Sequence, residues 1–375
     1  MSTPDSTSGE NQIKKGLAGA IAGTTSVASV EQGQLLYRGY EIHDLAENAT
    51  FEDVAHVLLV GHKPSSSELS AFQTELQGMR EVPGWIIDVI QRVAPKSHPM
   101  DTLRTGISLL SHTDEKTDDI SPEDELRKSK KLLACIPTII GAGQRAIDGK
   151  AVVEPDGSLS HAANLLYCMT GDRPSDLMAK VVDVSLILYA EHEFNASTFT
   201  GRVIAGTLSD MYSAICGAIG ALKGPLHGGA NEAAMDMLKE VGTLDNVRPF
   251  MDNAFATKRK IMGFGHRVYK NGDHRAPILH AWGRKVAEER PEFKKWFEIG
   301  EAVQKIMNDE KGIFPNVDFP CGMAYFALGI PVPQYTPIFV ASRITGWCAH
   351  VMEQHADNKL IRPLSQYTGE PKRAW

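Results

Sequence analysis

The five cysteines of this 375-residue chain give no sign of covalent cross-linking. Cys135, Cys168, Cys216, Cys321 and Cys348 lie scattered in apolar contexts, and no CxxC pair occurs. That excludes a disulfide framework and points to reduced, buried thiols in a cytoplasmic protein. Positive charge is not in excess either. Lys and Arg number 39 against 46 Asp and Glu, a formal charge of −7, so no nucleic-acid partner is expected. The longest nearly uncharged apolar run, 211–222, is too short to span a bilayer, and no membrane partner is expected. The polar start, MSTPDSTSGENQ, has neither the apolar core of a signal peptide nor an arginine-rich transit pattern, and reads as frayed. Catalytic signatures are missing too. There is no GxSxG elbow and no P-loop, and HEF at 192–194 is not a zinc HExxH because residue 196 is alanine. GFGHRV lacks the third glycine of a dinucleotide fingerprint, and no strand-like run precedes it. His350 and His355 are five apart, off the same-face spacing of a helix, so no metal site is expected.

What is present is mostly helical. Residues 16–40, rich in Gly, Thr, Ser and Val, read as short strands or an extended arm. Beyond them apolar residues recur at three- and four-residue spacing. This predicts helices over 44–60, 66–79 (capped by Ser66 or Ser67), 85–93, 132–147, 159–170 and 175–192, with another opening at 97–101. The acidic stretch 114–125 reads as a solvated loop. Residues 205–222 mix small and large apolar residues, as a helix in a deep core or a subunit interface would. Helical patterns follow over 231–241, 249–257, 276–290 and 293–309. Prolines at 315, 320, 331, 333 and 337 are expected to break the chain before a last helix, 338–354. The fold class is all-α with a short β-like N-terminal arm.

Four places combine special backbone chemistry with ionisable groups. Residues 189–198, YAEHEFNAST, crowd polar side chains at the end of an apolar helix. GPLHGGAN (224–231) sets His227 in a glycine turn. KIMGFGHRVYKNGDHR (260–275) sets His266 behind Gly263 and Gly265, whose freedom suits close approach to a ligand, and follows it with Arg275. PNVDFP (315–320) holds Asp318 between apolar residues and prolines, surroundings that raise a carboxyl pKa and sharpen it as a base. Each has a bland alternative: a structural turn histidine, an aspartate that only forms a turn, arginines (Arg343, Arg362) in surface salt bridges. Their co-occurrence suits carbon-acid chemistry on an anionic substrate.

Taken in this order, GPLHGGANE, KIMGFGHRVYK, PNVDFP and SRITGWCAHVMEQHADNKLIRP resemble the citrate synthase family, from Leu35 to Gly369. Residues 190–207 are most like the short bacterial members that include 2-methylcitrate synthases. The resemblance implies an α-helical homodimer. Its large domain would span 1–228 and 330–375, and a small domain, 229–329, would close over the substrates. It implies that Asp318 takes the α-proton of an acyl-CoA, that His227 stabilises the enolate, and that His266 polarises the ketone of oxaloacetate. His192, Arg275, Arg343 and Arg362 would hold the oxaloacetate carboxylates, as guanidinium forks suit. Lys260, Ile261, Met262, Gly263, Phe264 and Gly265 would bind CoA, with Lys258, Arg259 and Lys260 as phosphate partners. No cofactor is implied. The long N-terminal extension of the NADH-inhibited relatives is not seen, so that allostery is not expected.

The expected activity is therefore condensation of oxaloacetate with acetyl-CoA or propionyl-CoA, followed by thioester hydrolysis. A CoA-dependent lyase working in the cleavage direction would normally need ATP coupling, and no P-loop is present. A non-enzymatic helical scaffold would have no use for His227, His266 and Asp318 in glycine and proline turns.

Overall fold

The protein is described from a computed structural model covering residues 15–17, 19–31, 33–266, 268–269 and 272–375. The start read as frayed lies outside the described residues, as do Arg267, Lys270 and Asn271 of the histidine loop. The described N-terminal arm forms three short antiparallel strands, β1 (Ala28–Glu31), β2 (Gln34–Tyr37) and β3 (Tyr40–Glu41), in that spatial order, with Ala28 opposite Tyr37 and Leu36 opposite Glu41.

Sixteen α-helices follow among the described residues. They are α1 (Ile42–Asn48), α2 (Phe51–Val60), α3 (Ser66–Gly78), α4 (Gly84–Val93), α5 (Pro99–Ser111), α6 (Pro122–Ile147), α7 (His161–Thr170) and α8 (Asp176–Tyr189). Then come α9 (Ala196–Ala205), α10 (Met211–Leu222), α11 (Ala230–Val241), α12 (Val247–Ala256), α13 (Arg275–Glu289), α14 (Lys294–Lys311), α15 (Asp318–Ala327) and α16 (Tyr335–Ala356). The long α16 is buried almost throughout and packs on α6, α8, α9 and α10, forming the centre of the helical core.

Several expected boundaries move, for identifiable reasons. The helix expected over 44–60 is two helices, because Thr50 and Asp53 form a reciprocal capping box that starts α2 afresh. The cap of α3 is Ser65, paired with Glu68, rather than Ser66 or Ser67. The stretch 205–222 is likewise not one helix. It is the end of α9, a turn in which Leu208 takes φ 65°, and then α10. At least one of its small residues serves packing within the chain: a Cβ on Gly217 would lie 2.2 Å from Ile204 Cδ1 of α9.

The acidic stretch 114–125 is a solvated loop only in part: Glu115 and Asp118 are exposed, but residues 122–125 open α6 and other charges are held by partners. Arg127 bonds Asp114 at 2.8 Å and Asp124 at 2.7 Å. The fully buried ammonium of Lys128 donates to Thr117 O at 2.8 Å and pairs with Asp124 at 3.1 Å. Spacing along the helix could not show that these charges were partners, so the stretch looked free. The largest miss is α15, in a segment whose prolines seemed to forbid a helix. Pro320 is its third residue and Pro337 the third of α16. First-turn N–H groups have no acceptor within the helix, so proline costs little there.

Candidate active site

A cavity of about 880 Å³ gathers most of the expected residues. Tyr189 is the last residue of α8 and His192 lies in the segment that follows it, His227 comes from the turn between α10 and α11, and His266 from the loop before α13. Arg275 and Asp318 are the first residues of α13 and α15, and Arg343 faces the cavity from the buried α16.

Asp318 is partly open to the cavity and otherwise enclosed by protein. Tyr189 Oη donates to Asp318 Oδ1 at 2.7 Å, and the Asp318 backbone N–H donates to Asn316 Oδ1 at 3.0 Å. Burial pushes the carboxyl up to about 6, against the opposing pull of the Tyr189 hydrogen bond and the Arg275 charge. The expected perturbation is present, and its main cause is the one read from the sequence.

The two histidines present opposite nitrogens. Nε2 of His227 lies 2.8 Å from Ser197 Oγ and accepts the Ser197 backbone N–H at 3.3 Å, at the N-terminus of α9. A neutral imidazole accepting at one nitrogen carries its proton on the other, so His227 exposes Nδ1–H. In His266, Nδ1 accepts the N–H groups of Val268 at 3.1 Å and Tyr269 at 3.3 Å, leaving Nε2–H. Burial, with Arg343 near His227 and Arg275 near His266, lowers both pKa values to about 4. Both are therefore neutral donors at pH 7.

The arginines differ in how far they are engaged. Arg275 spends Nε and Nη2 on Asp273, at 2.9 and 2.8 Å, and Nη1 on Leu188 O at 3.2 Å. That leaves two of its five N–H groups for a ligand. Arg343 is 2% exposed and spends only Nε, on Tyr189 O at 2.6 Å. No carboxylate among the described residues lies within ion-pair distance of Arg343, whose strongest opposing influence is the buried Glu191, so the fork faces the cavity with no direct ion-pair partner. His192 Nε2 lies 2.9 Å from Tyr269 Oη. Burial first, and then Arg275, His266 and Arg343, hold its pKa well below the ordinary value.

The glycines of the histidine loop both line the cavity, and one of them also makes room for the protein itself. Gly263 and Gly265 take φ 80° and 75°, where glycine is favoured. The close approach at Gly263 is also to the protein: a Cβ there would lie 2.8 Å from Phe319 Cβ of α15. This loop and the one before α15 pair like strands. Gly265 N–H donates to Phe314 O, Asn316 N–H to Gly263 O, and Asn316 Nδ2 to Gly265 O, each at 2.9 Å.

The family model for the citrate synthase C-terminal domain matches residues 16–364. The chain belongs to the citrate synthase family. It is 44% identical over 361 residues to a 2-methylcitrate synthase of Shewanella oneidensis, covering 96% of this chain and 95% of that protein. It is also 44% identical over 360 residues to citrate synthase 2 of Bacillus subtilis, covering 96% of each. The solved structure of a Thermoplasma acidophilum citrate synthase, a ternary complex with carboxymethyl coenzyme A and oxaloacetate, has a TM-score of 0.92 at 32% identity. That match covers 97% of this chain and 98% of that one. The two enzyme names occur at equal identity, so likeness alone does not choose the acyl group.

Within this citrate synthase fold, two expected contacts are not brought to the cavity by the chain itself. Ile261 is buried in the core rather than lining the site, whereas Lys260, Met262, Gly263, Phe264 and Gly265 do line it. Arg362 is exposed on the extended C-terminal tail. Of the basic lead-in, Arg259 is turned away into a double hydrogen bond with Glu240, at 2.7 and 2.6 Å. Tyr189, Ser197, Asp273 and Asn316 fall inside the stretches singled out in the sequence, but their contacts with Asp318, His227, Arg275 and the histidine loop were not read there. Asp273 and Asn316 each stand two positions before a site residue at a helix start, a spacing that could have drawn attention to them.

Proposed function

We propose that the cavity condenses oxaloacetate with acetyl-CoA or propionyl-CoA and hydrolyses the resulting thioester. Family membership makes the chain a condensing acyltransferase of the citrate synthase or 2-methylcitrate synthase kind. The observation that carries the substrate assignment is one constellation: a carboxylate base, two neutral histidines offering opposite N–H groups, and two buried guanidinium groups with donors to spare.

In this reading Asp318 removes a proton from the thioester α-carbon while His227 Nδ1–H donates to the thioester oxygen, where negative charge develops. The α-carbon attacks the oxaloacetate ketone, and His266 Nε2–H gives its proton to the new alkoxide. Water then cleaves the thioester and frees CoA. Arg343 takes one oxaloacetate carboxylate on its free fork, and Arg275 and His192 complete the pocket. Lys260, at the lip of the cavity, is the basic residue best placed for a CoA phosphate.

We assign residues 1–228 and 330–375 to a large domain and 229–329 to a small one whose closure excludes water. No helix among the described residues is long and apolar enough to cross a membrane, and we place the enzyme in the cytoplasm. No metal or organic cofactor enters this chemistry. An assay of free thiol with oxaloacetate and each acyl-CoA tests the reading. Release should depend on oxaloacetate and survive exhaustive chelation. Both acyl-CoAs should be used, with kcat/KM within roughly two orders of magnitude, since one methylene is worth about 1–3 kcal/mol. Activity lost to chelator and restored by a divalent ion would reject the mechanism. A preference far outside that range would reveal a dedicated acyl pocket.

The exposure of Arg362 fits a homodimer in which each subunit lends this arginine to its partner's site. Asp318→Asn and Arg362→Ala proteins, each inactive, should then regain activity when unfolded and refolded together. Random pairing makes about half the dimers mixed, each with one intact site, so roughly a quarter of wild-type activity should return. Efficient mixing without recovery would place Arg362 in its own subunit's site.

A further inference from the structure

We infer that Asp273 is a positioning residue that ties the arginine for the substrate carboxylate to the backbone carrying the general base. Its side chain is wholly buried between the two. Oδ1 accepts the Arg275 backbone N–H at 3.0 Å and Arg275 Nε at 2.9 Å. Oδ2 accepts Arg275 Nη2 at 2.8 Å and, from a different segment, the backbone N–H of Val317 at 3.0 Å. Val317 is the N-cap of α15, immediately before Asp318.

One carboxylate thus fixes the plane of the Arg275 guanidinium and the entry of the chain into the helix that presents the base. A shift of Arg275 when it takes a carboxylate moves Asp273, and Asp273 pulls on the N–H next to Asp318. In this way the ketoacid half of the cavity can set the aim of the base at the thioester half. The pair also keeps Arg275 from swinging across the site to neutralise Asp318 directly. Asp273 touches neither reacting carbon, so its effect is on placement. This inference rests on the assignment of Arg275 to oxaloacetate and Asp318 to the acyl-CoA.

Two substitutions separate the two arms of the link. Asp273→Asn loses the charge and one acceptor toward Arg275. It should raise the oxaloacetate KM and lower kcat by roughly 10²-fold, the cost of about 1 Å of misplacement. Val317→Pro deletes the N–H that meets Oδ2 and, as Val317→Ala also does, the buried valine side chain, at a residue whose φ of −60° proline adopts without strain. Compared with Val317→Ala, which keeps that N–H, it should lower kcat by at least about tenfold and leave the oxaloacetate KM in place. If Asp273→Asn lowers only the melting temperature, with both kinetic constants intact well below it, Asp273 is merely structural and the inference fails. It fails also if Asp273→Asn changes KM alone while Val317→Pro matches Val317→Ala. Should Asp273→Asn not fold, the Val317 comparison decides by the same criterion. An Arg343→Met control separates this from failure of the site assignment, because an unchanged oxaloacetate KM there would overturn the assignment itself.

Discussion

Replacing Asp318 by asparagine is expected to lower kcat by ~10²–10⁴-fold, the usual cost of removing a positioned base, while oxaloacetate binding stays nearly intact. Asparagine keeps an oxygen for the Tyr189 hydroxyl, so the geometry is preserved and only the basicity is lost. In the wild-type enzyme, kcat should fall on the acid side as pH drops through about 6, where the raised Asp318 carboxyl takes up its proton. The same shift has a consequence for folding. The folded carboxyl holds its proton to a higher pH than the unfolded one does. Its favourable contribution is thus complete below the unfolded value near 4 and is lost as pH rises through about 6. At neutral pH ionised Asp318 is a burden of up to about 3 kcal/mol, less whatever solvent in the cavity screens. Asp318→Asn should therefore melt no lower than wild type at pH 7.5, and above it if the burden is felt. Near-normal turnover in this variant would show that another group is the base.

Arg343→Met should weaken oxaloacetate binding by roughly 30- to 5,000-fold, as expected for truncating one partner of a buried charged pair worth ~2–5 kcal/mol. Methionine keeps the apolar stem against Phe339, whose ring centre lies 4.7 Å from the guanidinium carbon. It removes a cation that burial disfavours and that no carboxylate of the chain neutralises within ion-pair distance among the described residues. The variant should accordingly keep its melting temperature while losing the protection that oxaloacetate gives the wild type. Binding and melting curves with and without oxaloacetate measure both effects. An unchanged oxaloacetate affinity would reduce Arg343 to a structural residue.

How much of this was legible depended on whether the signal was local. His227, His266 and Asp318 stand in glycine and proline turns, and those turns announce backbone built to deliver a side chain. Their order along the chain carried the family resemblance. Arg343 was ambiguous, because a sequence does not say whether the arginine of a long helix is buried with no carboxylate in ion-pair distance. The partnerships that tune the site were out of reach for a different reason. Tyr189 meets Asp318 across 129 positions, and Ser197 meets His227 across 30. No periodicity reports such contacts. The helix α15 was hidden by a rule applied too broadly, since proline forbids a helix interior but not a first turn. The glycines of the histidine loop line the cavity, but their sequence did not show that at Gly263 Phe319 also demands the missing side chain.

The pairing of 263–265 with 314–316 also bears on how relatives of this chain can be recombined. Each loop supplies the other's hydrogen-bond partners, and Asn316 alone bonds two carbonyls of the opposite loop. A crossover anywhere between 266 and 313 would join residues 263–265 from one parent to residues 314–316 from another, and the two would have to fit by chance. A chimera that exchanges the whole interval 260–320 inherits the matched pair. The two halves of this site travel as one heritable block.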